Sequence, residues 1–161
     1  MVIIDVDGVL TDGKIFLNDN GNESKAFYAQ DGTGIAYLHR AGIKTAIISG
    51  RKSKAVEYRA KELHIEDVYQ GALKKIDVYE KILKKHKIQE NEICYIGDDL
   101  IDLPILRRVG FSVAVPDAPA EVKESVSYIT NAQGGHGAVR EVVEKILKSQ
   151  GKWDMIMSRY C

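Results

Sequence analysis

Apolar residues along the chain follow two rhythms. Five short, nearly unbroken apolar runs have the length and make-up of strands buried on both faces: VIIDV at 2–6, KTAIIS at 44–49, DVYQG at 67–71, EICYIG at 92–97 and FSVAV at 111–115. Between them the spacing is that of helices with one apolar face. Ile35, Leu38 and His39 form one stripe; Val56, Ala60 and Leu63 a second; Val78, Ile82 and Leu83 a third; Val139, Val143, Ile146 and Leu147 the last. Strands alternating with helices predict a three-layer α/β/α architecture, a doubly wound parallel sheet. Residues 13–28 interrupt the alternation with two short apolar runs around a polar turn, which predicts a β-hairpin between the first strand and the first helix. The stretch 152–161 carries Trp153, Met155, Ile156, Met157 and Tyr160, too apolar to hang free, and is expected to dock.

Bulk composition narrows the picture without changing it. A chain of 161 residues, 45% hydrophobic, suits one domain spanning 1–161. Its 23 basic residues balance 23 acidic ones, so there is no electrostatic basis for a nucleic-acid partner or an anionic membrane. No apolar run approaches the ~20 residues of a membrane span, and acids stand where a secretory signal would have a basic start. Cys94 and Cys161 are too few for a disulfide framework, so the expected compartment is the reducing cytoplasm.

The chemistry lies at the strand ends. In open α/β sheets the functional crevice lies outside the carboxyl edge of the strands. Here the first strand ends in Asp5 and Asp7, the second in Ser49, Gly50 and Arg51, the third is followed by Lys74 and Lys75, and the fourth by Asp98, Asp99 and Asp102. One acid at a strand-to-helix junction is ordinarily a helix cap; four polar strand ends converging on one edge are not explained that way. Clustered carboxylates repel unless a cation sits among them, and a hard oxygen-donor set suits Mg²⁺. An aspartate can also serve as a covalent nucleophile toward phosphorus. Ser49 and its neighbouring amides lead into a helix and can hold a phosphate, and a lysine after the third strand supplies fixed positive charge. Asp99 and Asp102 fit equally as caps of a helix beginning near Leu100 or as supports behind a metal site. Arg51 and Arg59 fit either substrate contact or a solvated helix face. His39, His64 and His86 show no metal spacing.

DVDGVLTDG, ISGR, the lysine after YQG and GDDLIDLP resemble, in order and spacing, the four motifs of the haloacid dehalogenase superfamily of phosphatases. DGTGI at 31–35, ISGRKSKAVEYRAKELHI, FSVAVPDA and GGHGAVREVVEKIL resemble its capless branch, the 3-deoxy-D-manno-octulosonate 8-phosphate phosphatases. The resemblance implies a Rossmann-like sheet without a cap domain, a hairpin through which four subunits associate as a homotetramer, and Mg²⁺-dependent hydrolysis of a small sugar-acid phosphate in lipopolysaccharide synthesis. It makes Asp5 the nucleophile and Asp7 the acid and base. It makes Asp5, the Asp7 carbonyl and Asp98 metal ligands, and Ser49 and Lys75 the phosphate ligands, Lys75 being favoured over Lys74 by its spacing from YQG. It makes Gly50, Arg51, Arg59 and the loop from Gln30 through Asp31 and Gly32 to Gly34 candidates for gripping the sugar. Neighbouring subunits and the C-terminal tail would close the open cleft. One departure stands out: the branch has an arginine where this chain has His136. Three alternatives remain beside this one: a nine-carbon keto acid phosphate as substrate, a non-catalytic assembly module, and a receiver domain. Retention of both Asp5 and Asp7 speaks against the second, and the absence of an acid at the end of the third strand against the last.

Overall fold

A computed structural model describes residues 1–160; Cys161 lies outside the described residues. Its main sheet has six parallel strands: β1 (Val2–Ile4), β4 (Thr45–Ile48), β5 (Asp67–Tyr69), β6 (Cys94–Gly97), β7 (Phe111–Ala114) and β8 (Tyr128–Ile129). They are ordered β5-β4-β1-β6-β7-β8. The chain steps outward from β1 to β5, returns across to β6 and continues to β8, so the order reverses between β1 and β6. The five apolar runs each supply a strand. The sixth, two residues long at the sheet edge, is too short to show a strand period.

Four longer helices fill the outer layers: α1 (Ala29–Arg40), α2 (Lys54–Glu62), α3 (Lys75–His86) and α6 (Ala138–Ser149). Short helices α4 (Leu103–Leu106), α5 (Ala120–Lys123) and α7 (Trp153–Met157) complete them. Right-handed crossovers put α1 and α2 on one face and α3 and α4 on the other, and α6 packs against α1. The apolar stripe of α6 is buried as its spacing predicts, through Val139, Val142, Val143, Ile146 and Leu147. Ile3, Ile4, Ile47, Ile48, Tyr95 and Ile96 fill the sheet's share of the core.

Three expectations need correction. The first strand stops at Ile4 rather than at residue 6. Asp5 is still extended (φ −74°, ψ 166°), but Val6–Leu10 form one wide turn closed by the Thr11 amide on the Val6 carbonyl at 3.0 Å. Gln30, Asp31 and Gly32 are no loop: they form the first turn of α1, where Asp31 suits the positive end of the helix. The tail does not cover the catalytic edge of its own chain. Trp153 packs edge-to-face on Tyr37 at 6.1 Å, Ile156 is buried, and the Lys152 ammonium donates to the Ala41 carbonyl at 3.3 Å, all at the carboxyl end of α1. Tyr37 offers the apolar and polar partners that draw it there; its hydroxyl lies 3.2 Å from that of Tyr160.

The hairpin forms as expected but is brief. Strands β2 (Phe16–Leu17) and β3 (Glu23–Ser24) pair antiparallel, Phe16 with Ser24 and Leu17 with Glu23. Asn18 shapes the turn, its side-chain oxygen accepting from the amides of Asn20 (3.1 Å) and Asn22 (2.9 Å).

Candidate active site

The reversal between β1 and β6 brings Asp5 and Asp98 together at the carboxyl edge. Asp5, Asp7, Gly50, Arg51, Lys75, Asp98 and Asp99, with Gly13 and Ile101, line a cavity of about 250 Å³ there. The wide turn after β1 is what permits this closeness. Gly8 adopts φ +87°, and a Cβ on it would lie 2.1 Å from an Asp98 carboxylate oxygen. The turn is braced from behind by the loop preceding α6. The Gly135 amide donates to the Val9 carbonyl at 2.9 Å, and a Cβ on Gly134 would meet the Gly8 carbonyl oxygen at 1.7 Å.

Lys75 sits at the centre. Its ammonium lies 2.7 Å from Asp5 Oδ2 and 2.8 Å from Asp102 Oδ1, in a side chain only 2% exposed. Lys74, one residue earlier, is exposed, so the first turn of α3 decides which lysine points inward. Asp102 is fully engaged: Oδ1 also accepts from the Tyr95 hydroxyl at 2.6 Å, and Oδ2 from the amides of Asp98 (3.1 Å) and Asp99 (3.3 Å). It thus caps its own turn and orients Lys75 and the Asp98 backbone at once, so its two candidate roles are one. Asp99 is the other cap of the same turn, accepting from the Leu100 amide at 2.7 Å.

Electrostatics follow from this crowding. Burial and the neighbouring Asp102 outweigh Lys75 and push Asp5 up to about 6. Burial, Asp5 and Asp102 push Asp98 up to about 8. Burial alone would favour a neutral amine on Lys75, but Asp5 and Asp102 overcome it and hold the ammonium above its ordinary range. One oxygen each of Asp5, Asp98 and Asp102 lie within 4.8 Å of one another. Asp5 and Asp98, forced together and driven toward protonation, are donors that a hard divalent cation satisfies, and Mg²⁺ fits them.

The remaining sequence-derived candidates divide. Ser49 is buried at the end of β4, its Oγ accepting from the Arg51 amide at 3.3 Å, and Gly50 and Arg51 reach the cavity. The Asp7 side chain stands outside the 4.8 Å carboxylate group and is bound by the Lys25 ammonium. Gln30 is exposed and does not line the cavity. Asp31 is buried and turned the other way, accepting from the Arg140 amide at 2.8 Å to cap α6, which takes it out of the sugar-contacting set. Gly32 is buried against the Arg59 guanidinium. Arg59 bonds Glu62 at 2.8 Å, lies over the Phe27 ring, and lines a separate cavity with Lys25. His136 faces its own loop, Nδ1 lying 2.9 Å from the Gly134 carbonyl oxygen. Asp12 accepts from the Lys14 amide at the foot of the hairpin. Sequence reasoning missed Lys25, Glu23 and Tyr95. The first two come from the hairpin, and no periodicity links them to the strand ends; Tyr95 is hidden in an apolar run.

An aspartate ending the first strand, a buried lysine against it and acids after the fourth core strand form the arrangement of a haloacid dehalogenase-like hydrolase, and the family model of that description matches residues 64–142. The chain is 46% identical over 154 residues to the 3-deoxy-D-manno-octulosonate 8-phosphate phosphatase KdsC of Salmonella typhi, covering 96% of this chain and 82% of that protein; the figures for the Escherichia coli K12 protein are the same. Among solved structures it resembles the Moraxella catarrhalis phosphatase of that name, a complex with magnesium ion, phosphate ion and KDO, at TM-score 0.97 and 44% identity over 99% of this chain and 92% of that one. It also resembles the cobalt-bound Haemophilus influenzae enzyme, at TM-score 0.90 and 42% identity over 94% and 88%. The chain belongs to the 3-deoxy-D-manno-octulosonate 8-phosphate phosphatase family.

Proposed function

We propose that the chain hydrolyses 3-deoxy-D-manno-octulosonate 8-phosphate to the free sugar acid and phosphate, as a step of lipopolysaccharide synthesis, in one catalytic domain. The observation that carries the reading is the Asp5 carboxylate. It is buried at the strand end, ion-paired at 2.7 Å to Lys75 and within 4.8 Å of Asp98, in a chain 46% identical to curated phosphatases.

Asp5 is the nucleophile. One of its carboxylate oxygens attacks phosphorus, the bond to the sugar oxygen breaks, and Asp7 gives its proton to the leaving alcohol. The resulting aspartyl phosphate is opened by a water whose proton Asp7 takes back, which restores both residues. Lys75 stays protonated between Asp5 and Asp102, and offers positive charge where the phosphoryl oxygens gather it. Ser49, with the adjoining amides of Gly50 and Arg51, holds the phosphate. Asp5, the Asp7 carbonyl and Asp98 would hold Mg²⁺, which when bound offsets the repulsion between the anionic nucleophile and substrate.

The hairpin leaves Ile15, Phe16, Leu17 and Tyr28 exposed. Two residue pairs do not make a stable ladder alone, which supports a homotetramer joined through the hairpins. Cys94 is a buried free thiol, consistent with a reducing cytoplasm. No helix among the described residues is long and apolar enough to cross a membrane.

The test is phosphate release from the octulosonate 8-phosphate with Mg²⁺, beside a nine-carbon keto acid 9-phosphate. Higher kcat/KM on the eight-carbon ester is expected; the opposite order would reassign the substrate.

A further inference from the structure

The mechanism leaves one buried acid without a task. Asp31, in the first turn of α1, is 1% exposed and stands apart from the acid cavity. Its Oδ1 accepts from the Arg140 amide at 2.8 Å, across 109 positions of sequence, while Oδ2 meets no donor among the described residues. Burial pushes its carboxyl above the ordinary range, against the pull of the Arg140, Gly137 and Val139 amides. Gly137, which opens α6 at φ +103°, has no side chain to cap with. Asp31 therefore caps α6 from another helix, and one carboxylate meets the positive ends of both.

This cap is not what keeps α6 on the protein, because the buried stripe from Val139 to Leu147 holds the helix body. What the cap fixes is the first turn, and the loop just before it reaches the catalytic turn at both ends. The Gly135 amide donates to the Val9 carbonyl at 2.9 Å. A Cβ on Gly134 would lie 1.7 Å from the Gly8 carbonyl oxygen, and one on Gly135 2.5 Å from the Asp12 amide nitrogen. With backbone packed so closely on backbone, a shift of the loop shifts the turn. The two catalytic acids feel such a shift unequally. Asp5 is tied to the sheet, its amide donating to the Ile96 carbonyl at 3.0 Å and its carboxylate paired with Lys75 at 2.7 Å. Asp7 lies within the turn, one residue before Gly8, and moves with it.

Resting on the function proposed above, we infer that Asp31 is a positioning residue for Asp7. By fixing the first turn of α6 it fixes the loop that holds the catalytic turn, and so aims the general acid while the sheet holds the nucleophile.

The test is leaving-group dependence, because a cap that served folding alone would slow every ester alike. p-Nitrophenolate departs as a stable anion, whereas the alcohol of a sugar phosphate needs a proton from Asp7. The ratio of kcat/KM on the octulosonate 8-phosphate to that on p-nitrophenyl phosphate covers only the steps through departure of the alcohol, so the later use of Asp7 as base does not enter. Asp31→Ala should lower this ratio about tenfold. Asp31→Asn keeps an oxygen for the Arg140 amide and should recover most of it. Ile156→Ala, which destabilises the protein far from the turn, should leave it unchanged. If Asp31→Ala does not fold, Asp31→Glu, with its carboxylate moved by one methylene, takes its place and should lower the ratio too. An equal loss on both esters, or the same fall in Ile156→Ala, overturns the inference. Should the wild type not act on the octulosonate ester, the proposed substrate fails by itself, and glycerol 3-phosphate serves as the alkyl ester. If no ester is turned over, hydrogen exchange of the Thr11 and Gly135 amides decides: faster exchange in the Asp31 variant than in Ile156→Ala upholds the brace, and equal exchange overturns it.

Discussion

The crowding of Asp5, Asp98 and Asp102 makes the metal-free protein lose stability as pH rises. Asp98 is pushed from 3.8 to about 8 by burial and its acidic neighbours, so between those values the folded chain holds a proton that the unfolded chain has released. One extra proton bound in the native state gives a slope of about 1.4 kcal/mol per pH unit, in the direction of lower stability at higher pH. From about pH 6.5 to about pH 8 this amounts to roughly 2 kcal/mol. For a chain of this size, that corresponds to a fall in Tm of roughly 4–8 °C. Asp5, raised to about 6, has given up most of its share below this window. Carboxylates lowered by their partners, such as Glu23 and Glu141, contribute stability with the opposite sign, lost only as pH falls below the ordinary carboxylate range. His39, lowered by burial, also acts oppositely, but below its ordinary 6.5. The Met1 amine, lowered mainly by burial, opposes the trend inside the window, so the measurement is a difference. Thermal melts in chelator at fixed ionic strength should fall with pH more steeply for the wild type than for Asp98→Asn. Saturating Mg²⁺ should raise the wild-type Tm more at the upper pH, where no proton has to be displaced first. Parallel pH dependences for the two proteins would refute the reasoning.

Four further outcomes follow from the geometry. Asp5→Asn should abolish phosphate release while leaving the far-ultraviolet circular dichroism intact; retained turnover would end the covalent mechanism. Lys75→Met leaves Asp5 and Asp102 as neighbouring buried carboxylates without their cation, and should cost about 3–5 kcal/mol in denaturant unfolding near neutral pH. Gly8→Ala combines φ +87° with a Cβ 2.1 Å from Asp98 Oδ2, so Mg²⁺ titration should show weakened metal affinity together with a loss of about 1–3 kcal/mol in stability. Ile156→Ala, 1% exposed and remote from the acids, should cost about 2–4 kcal/mol of stability with kcat on p-nitrophenyl phosphate unchanged.

The sheet was readable in the sequence because strands buried on both faces are mostly apolar, as β1, β4, β6 and β7 are. Asp5 and Asp98 were readable because each ends such a run. What escaped depends on contacts that no period encodes. Gly32, close to a second glycine at Gly34, argued for a loop on propensity, yet α1 uses it so that the Arg59 guanidinium of α2 can come close. Lys74 and Lys75 differ only in which way the first turn of α3 faces. Lys25 reaches Asp7 because a hairpin folds back over the strand end, a relation between residues 18 positions apart that neither alternation nor helical spacing announces. The tail was rightly expected to dock, but its partner was set by Tyr37 rather than by the open cleft.

The bracing of the first turn by the loop before α6 bears on how the enzyme comes into being. Asp5 and its turn come early in the sequence, yet Val9 takes its hydrogen bond from Gly135, and the Gly8 carbonyl rests on Gly134. Asp31 likewise waits for the Arg140 amide. Residues made earlier in synthesis are thus held in working order by residues made much later. A chain still on the ribosome can pair β1 with β4 before that, but the turn carrying Asp7 has no scaffold until about residue 140 has emerged. A nascent or truncated product stopping short of α6 would hold every acid of the site and remain without its chemistry.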